Sequence, residues 1–211
     1  VGRQVTSILD LDELLPQVAA LVQSRFGYQV VGVWLLSERG DQLTLRARAS
    51  LVESDFTRVG ATLSLTQTSL IASVCRTRIR RVANDVRAEP DYLDAIPGVR
   101  AELDLPLQAG GEMLGVLNIE STRLNTFDAG DVTALQIVAD QVATAIRNAR
   151  LYHDAQREKR YLESLIHNSP VAIVTSDLRG VIMSWNPAAE QLFGYCRDEA
   201  VGRDLDDLIA R

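Results

Sequence analysis

The chain has 211 residues and holds two cysteines and two histidines, the side chains best able to act as nucleophiles, redox centres or metal ligands. Cys75 lies in SLIASVCRTR and Cys196 in FGYCRDE, while His153 and His167 lie in LYHDAQ and LIHNS. Neither cysteine has a histidine or second cysteine at the short spacing of a zinc site, and the pair is not a disulfide framework. Metal binding is therefore not expected. A catalytic thiolate needs a base or a positive field that lowers its pKa. Cys75 has only Arg76 beside it, so a packing residue is the favoured reading and a redox or thiol enzyme built on Cys75 is the rival. His153 precedes an acidic residue, as in phospho-accepting helices, but the hydrophobic, basic and Ser/Thr-Pro positions that complete such a helix are missing. Gly110-Gly111 is too short for a phosphate cradle and suits a hairpin turn.

With 46% hydrophobic and 24% charged residues, the chain has the composition of a globular protein, long enough for one domain and part of another. A net charge of −6 with interspersed signs offers no basic face for nucleic acid. No apolar run approaches the ~20 residues of a membrane span and no leader is visible, so a cytoplasmic location without membrane insertion is expected. A start at Val1 rather than Met points to a piece of a longer protein.

The elements that must position any site follow from periodicity. Asp10 and Glu13 have capping-box spacing, and Leu11, Leu14, Val18, Leu21 and Val22 recur at helical intervals through Pro16, which is expected to bend that helix. Gln29–Leu36 and Leu43–Ala49 read as a hairpin with one face buried. Ser50–Thr66 reads mostly as loop, Ser69–Arg78 as a short helix burying Leu70, Ile71 and Val74, and Arg81–Ala83 as a short strand. Asn84–Val99, with two prolines and a glycine, reads as an irregular segment around a helical turn. A second hairpin runs Leu103–Ala109 and Met113–Ser121. A long helix capped by Asp128 or Asp131 follows. Beyond Asn168-Ser169-Pro170, Val171–Asp177 and Val181–Asn186 read as two strands, with Pro187 in the first turn of a helix. Two strands and two short helices cannot close a core, so this last unit is a fragment.

Three stretches, SLIASVCRTR, VANDVRAEPDYL and LDLPLQAGGEMLGVLNIES, followed by NTFDAGDVTALQIVADQVATAIRNARLY, resemble the GAF domain family. The resemblance implies an α+β fold, a central antiparallel sheet flanked by helices, over residues 1–150. NSPVAIVTSDLRGVIMSWNPAAEQLFGYCRDEAVGRDLDDLI resembles the opening half of a PAS domain, an α/β unit over residues 169–211, with Cys196 where Ser or Thr is common. The long helix, 131–168, extends out of the first unit as a linker.

The GAF resemblance implies a small-molecule pocket between the sheet and the segment Asn84–Arg100. Asp85, Tyr92 and Arg100 are its candidate polar groups and Trp34, Phe56 and Leu70 its candidate walls. The alternative is that Asp85 and Arg100 only pair or cap. Bilin-binding members carry Cys-His where this chain has Cys75-Arg76. The flavin-type PAS motif places a reactive cysteine where this chain has Leu205. Members that reduce free methionine sulfoxide use several cysteines, against one here. Bilin, flavin and that enzyme activity are therefore not expected. Asn125-Thr126-Phe127-Asp128 matches only part of a cyclic-nucleotide motif, and capping by Asp128 is the simpler reading.

Along the long helix the apolar face narrows to Val142, Ala145, Ala149, Tyr152, Leu162 and Ile166, at spacings that suit a two-helix seam. The expectation is a parallel homodimer in which this helix carries a signal over about 50 Å, at about 1.5 Å per residue. The sequence thus reads as a non-enzymatic input segment of a bacterial signalling protein. A parent with a histidine kinase or cyclic-dinucleotide enzyme domain is implied by resemblance alone, and a ligand-free dimerisation scaffold is the alternative.

Overall fold

The computed structural model describes residues 11–52 and 58–209, which divide into two compact units meeting at Leu151/Tyr152 in sequence. The capping pair with Asp10 and the candidate wall Phe56 lie outside the described residues. In the first unit, α1 (Leu11–Phe26) runs on through Pro16. It is followed by β1 (Val30–Leu36), β2 (Gln42–Ser50), β3 (Thr62–Ser64), α2 (Leu70–Thr77) and β4 (Arg81–Ala83). A 3-10 turn (Val86–Ala88), β5 (Ala101–Ala109) and β6 (Glu112–Ser121) complete the sheet, and α3 (Ala129–His167) leaves the unit. The sheet has six strands in the order β3-β2-β1-β6-β5-β4, with every pair antiparallel.

Strand alternation sends Val31, Val33, Leu35, Leu103, Leu105, Leu117 and Ile119 to one face. There they meet Leu14, Leu15 and Val18 of α1 and Val132, Leu135, Ala139, Val142, Ala145 and Ile146 of α3 in one apolar core. The hairpin read as buried on one face is in fact covered on both. From Val30 to Leu35, β1 is buried throughout, because α2 and the irregular segment close over its second face. Short β3, in the stretch read as loop, pairs with the outer edge of β2. Three residues are too few to show a period.

A β-bulge governs what reaches that second face. Val33 pairs with Ala47, but Trp34 pairs with Leu45, leaving Arg46 as the extra residue. Unbroken alternation would put Leu43, Leu45, Ala47 and Ala49 together and send Arg48 out with Arg46. Instead Leu43 and Leu45 join Trp34 and Ile71, while Ala47 joins the helix-side core. Arg46 reaches Asp12 of α1 at 2.7 Å, and Arg48 turns to the other side. Gly115 of β6 is needed close by, since any Cβ there would run into the Trp34 carbonyl.

The start of α3 carries reciprocal caps. The Asp131 N–H donates to Asp128 Oδ1 at 2.8 Å and the Asp128 N–H to Asp131 Oδ2 at 3.3 Å. Phe127, buried beside them, lies 5.5 Å from the Tyr28 ring. These contacts are those of a helix start.

In the second unit, β7 (Val174–Ser176) pairs with β8 (Ile182–Trp185), both shorter than the sequence suggests. They are followed by α4 (Pro187–Phe193), α5 (Arg197–Ala200) and α6 (Leu205–Ile209). Buried Asn186 organises the unit. Its Oδ1 accepts from Ile173 N–H at 2.8 Å and Ala189 N–H at 2.9 Å. Its Nδ2 donates to the carbonyls of Ile166 at 3.1 Å and Val171 at 2.9 Å. One amide thus caps α4, fixes the chain ahead of β7 and holds the last turn of α3.

Candidate functional site

On the second face of the first unit, register sets out two rows of side chains. Arg48 of β2 lies opposite Gly32 of β1, Gly32 opposite Asn118 of β6, Asn118 opposite Asp104 of β5, and Asp104 opposite Arg81 of β4. The adjacent row runs Ser50, Val30, Glu120, Glu102, Ala83. Neighbouring strands are about 4.8 Å apart, so Gly32 is a gap one strand wide between a cation and a set of acids. A Cβ at Gly32 would meet Trp34 Nε1 at 3.2 Å, Leu45 Cδ1 at 3.3 Å and Asn118 Oδ1 at 3.6 Å. Lacking one, the position opens a cavity lined by Gly32, Trp34, Arg48, Ile71, Asn118 and Glu120. Its free space is about 10 Å³, room for about one water.

The acids are buried and short of donors. Asn118 Nδ2 donates to Asp104 Oδ1 at 2.9 Å and to Glu102 Oε1 at 3.2 Å, which uses both of its hydrogens. Asp104 Oδ2 and Glu120 Oε2 are buried without a hydrogen-bond partner among the described residues, as are Arg48 Nη1 and Arg100 Nε. Burial, then the neighbouring carboxylates, hold Glu102 well above the ordinary carboxylate range. Burial also pushes Asp104 up to about 6, against the hydrogen bonds from its neighbours and the pull of Arg81. Glu120 is raised to about 8 by burial and by the charge of Asp104.

The residues expected from sequence are distributed unevenly around this cavity. Trp34 lines it, and Leu70 packs behind it with Val30, Ala83, Val86, Ile96 and Val99. Half-buried Tyr92 packs on that same cluster. Its hydroxyl is held well above its usual range by burial, with Glu120 and Glu102 adding to the shift. Asp85 does what its capping alternative says. Its Oδ1 accepts from Arg87 N–H at 3.2 Å, and it stands 3.9 Å from Arg100 Nη2. Cys75 is buried in the cluster around Trp34, and burial lifts its thiol to about 11 despite Arg76 and Arg78. That is the opposite of what thiolate chemistry needs.

Sequence reasoning missed Gly32, Arg48, Glu102, Asp104, Asn118 and Glu120. A signal was present: Glu102 and Asp104, like Asn118 and Glu120, are polar residues two apart inside strands that otherwise read as core.

Three of the seam residues lie within the packing of the first unit. Val142 and Ala149 are fully buried and Ala145 is 3% exposed, all within the first unit's own packing, so no second helix can reach them. The apolar side chains that α3 leaves exposed beyond that point are Leu151, Tyr152, Tyr161, Leu162, Leu165 and Ile166.

Comparison with known proteins agrees with this architecture. A GAF domain model matches residues 8–147 and a PAS fold model residues 160–211. The sensor protein FixL of Bradyrhizobium diazoefficiens is 25% identical over 125 residues, covering 54% of this chain and 25% of that protein. The formate hydrogenlyase transcriptional activator of Salmonella typhimurium is 27% identical over 173 residues, covering 77% of this chain and 24% of that protein. The chain therefore spans about a quarter of the length of the curated relatives it matches. Among solved structures, the free methionine-R-sulfoxide reductase of Neisseria meningitidis, in complex with its substrate, superposes with a TM-score of 0.64 at 24% identity. That match covers 72% of this chain and 86% of that one. The GAF domain of an Acinetobacter phosphoenolpyruvate-protein phosphotransferase superposes with a TM-score of 0.63 at 20% identity, over 71% and 90% of the two chains. At these identities the likeness is one of fold. With a sensory module of this architecture followed by the PAS fold, the chain belongs to the GAF domain family and is a signalling input segment.

Proposed function

We propose that the GAF unit senses a small molecule in the cavity over Gly32, and that α3 carries the bound state to the PAS unit and to output domains beyond it. The observation that carries this reading is the set of opposed, unpartnered polar atoms around a gap on an otherwise well-packed sheet face. Buried polar atoms without partners cost stability, and a ligand that supplies partners recovers it. A neighbour of the same fold solved with its substrate supports the use of this architecture for small molecules. The segment itself is read as non-enzymatic, in line with the raised pKa of buried Cys75. If peroxide modified Cys75 rapidly in the folded protein, the thiol-enzyme rival would replace this reading.

Transmission is proposed to use a parallel homodimer. Leu151, Ala155, Glu158, Leu162 and Leu165 recur at intervals of four and three residues and are all exposed. They form a heptad seam with one polar interruption. At the far end, the grip of Asn186 on the Ile166 carbonyl gives a change in α3 a direct route into β7 and α4. Native mass spectrometry of gently purified protein tests both halves. A dimer with a retained small molecule supports the proposal, and a monomer at high concentration removes the transmission scheme. A dimer with an empty pocket would favour the ligand-free scaffold, the reading to which the small free space of the cavity also points.

A further inference from the structure

We infer that the pocket over Gly32 takes a small zwitterion, a free α-amino acid or close analogue, with its ammonium group toward Glu120 and its carboxylate toward Arg48. This rests on the reading of that cavity as the sensory pocket. Glu120 and Arg48 both line the cavity, yet Glu120 Oε2 and Arg48 Nη1 have no partner among the described residues. The cross-strand row explains why opposite charges so placed do not meet: Gly32 stands between their strands and contributes no side chain.

The occupant is defined by what would satisfy both rims. On the acid rim, Asn118 Nδ2 is fully committed and Glu120 Oε2, which faces the cavity, is still without a donor, which asks for a group with N–H donors and no acceptor. An ammonium has that inventory. On the other rim, a guanidinium N–H asks for an anionic acceptor. A bare cation leaves Arg48 unanswered, and a simple anion or a phosphate ester leaves Glu120 Oε2 without a donor. A molecule carrying both charges answers both, as an α-amino acid does, with Arg48 and Glu120 facing the same cavity from strands about 10 Å apart on either side of β1. Trp34, Leu45, Ile71 and Ile96 supply apolar surface for its side chain. With about 10 Å³ free, the cavity is closed around a water-sized space, so such a ligand must push side chains of the lining apart as it enters.

Calorimetric titration of the 211-residue chain separates this from its rivals. The probes are a panel of free L-amino acids together with norleucine, pentylamine, which lacks the carboxylate, and hexanoate, which lacks the ammonium. The expected result is binding of norleucine or another panel member, with each single-charge analogue weaker by roughly tenfold or more. Arg48→Met should bring norleucine down toward pentylamine and Glu120→Gln should bring it toward hexanoate, in variants that circular dichroism shows to be folded. If a variant fails to fold, the ranking of the three probes on the unsubstituted chain decides. Pentylamine or hexanoate binding as tightly as norleucine overturns the inference. So does a retained molecule without an ammonium group when no amino acid binds, although the sensory reading then survives. No binding and no retained molecule means that only a water bridges the two rims, and both readings fall.

Discussion

On the face covered by α1 and the first half of α3, strand side chains such as Val33, Leu103, Leu105 and Ile119 meet Leu14, Leu135 and Ile146 in continuous apolar contact. On the opposite face, the same strands place Glu102, Asp104, Asn118, Glu120 and Arg48 beneath α2 and the irregular segment. Both faces are shielded from water, but on the second the shielding covers ionisable groups as well as the apolar clusters around Trp34 and Leu70. The dry face contributes to folding through its area. The polar face holds buried carboxyl groups whose charging the fold opposes, and a sequence selected for stability alone would place leucines there. The difference is why the proposed sensory pocket is placed on the polar face.

That contrast can be broken first where it is strongest. Ala149→Glu, at a fully buried position of α3, buries a charge with no partner and should prevent the unit from folding, a loss of several kcal/mol, seen as lost cooperative thermal unfolding. Leu162→Glu, thirteen positions on along the same helix and 51% exposed, should leave that unfolding unchanged and convert a dimer to a monomer in sedimentation. Leu105→Ala, at a fully buried position of the dry face, should cost about 2–5 kcal/mol in denaturant unfolding.

The polar face should respond with the opposite sign. The folded pKa values of Asp104 and Glu120, about 6 and about 8, lie above ordinary carboxylate values. The folded protein therefore binds these protons more tightly than the unfolded chain. Their contribution is fully present below the unfolded carboxylate values and is lost as pH rises through about 6 and then about 8. The groups around them are Glu102, Asn118, Arg81 and Tyr92, with Arg48 across the gap. Ligand-free protein should thus become less stable between these two values, and Glu120→Gln should flatten the upper part of that fall, gaining on the order of 1–2 kcal/mol at its top. Unfolding midpoints measured across this range, with and without the substitution, check it. On this face the smallest effect on stability belongs to Gly32→Ala. Its backbone is not in the left-handed region, so the change should stay within about 1 kcal/mol while the added methyl abolishes norleucine binding in the same titration.

Much of this architecture was legible in the chain. Apolar and β-branched alternation marked β1, β2, β5 and β6, and helical spacing marked α1, α2 and α3 to within a few residues of their observed ends. The order of the two modules was carried by the stretches that resemble their families. The site was much less legible. Trp34 was named as a wall of the pocket that the GAF resemblance implies, and it lines the cavity over Gly32. Glu102, Asp104 and Glu120 were passed over because an acid at alternate strand positions ordinarily faces water.

Local periodicity by itself determined which residues share a face, because a strand repeats every two residues and a helix every 3.6. It could not determine what covers a face. That was decided in three dimensions, where α2 and the segment after β4 close over acids that alternation alone would leave in solvent. The bulge at Arg46, set by pairing between β1 and β2, sends Arg48 to the same side. The core packing of α3 consumes Val142, Ala145 and Ala149 before any partner helix could use them.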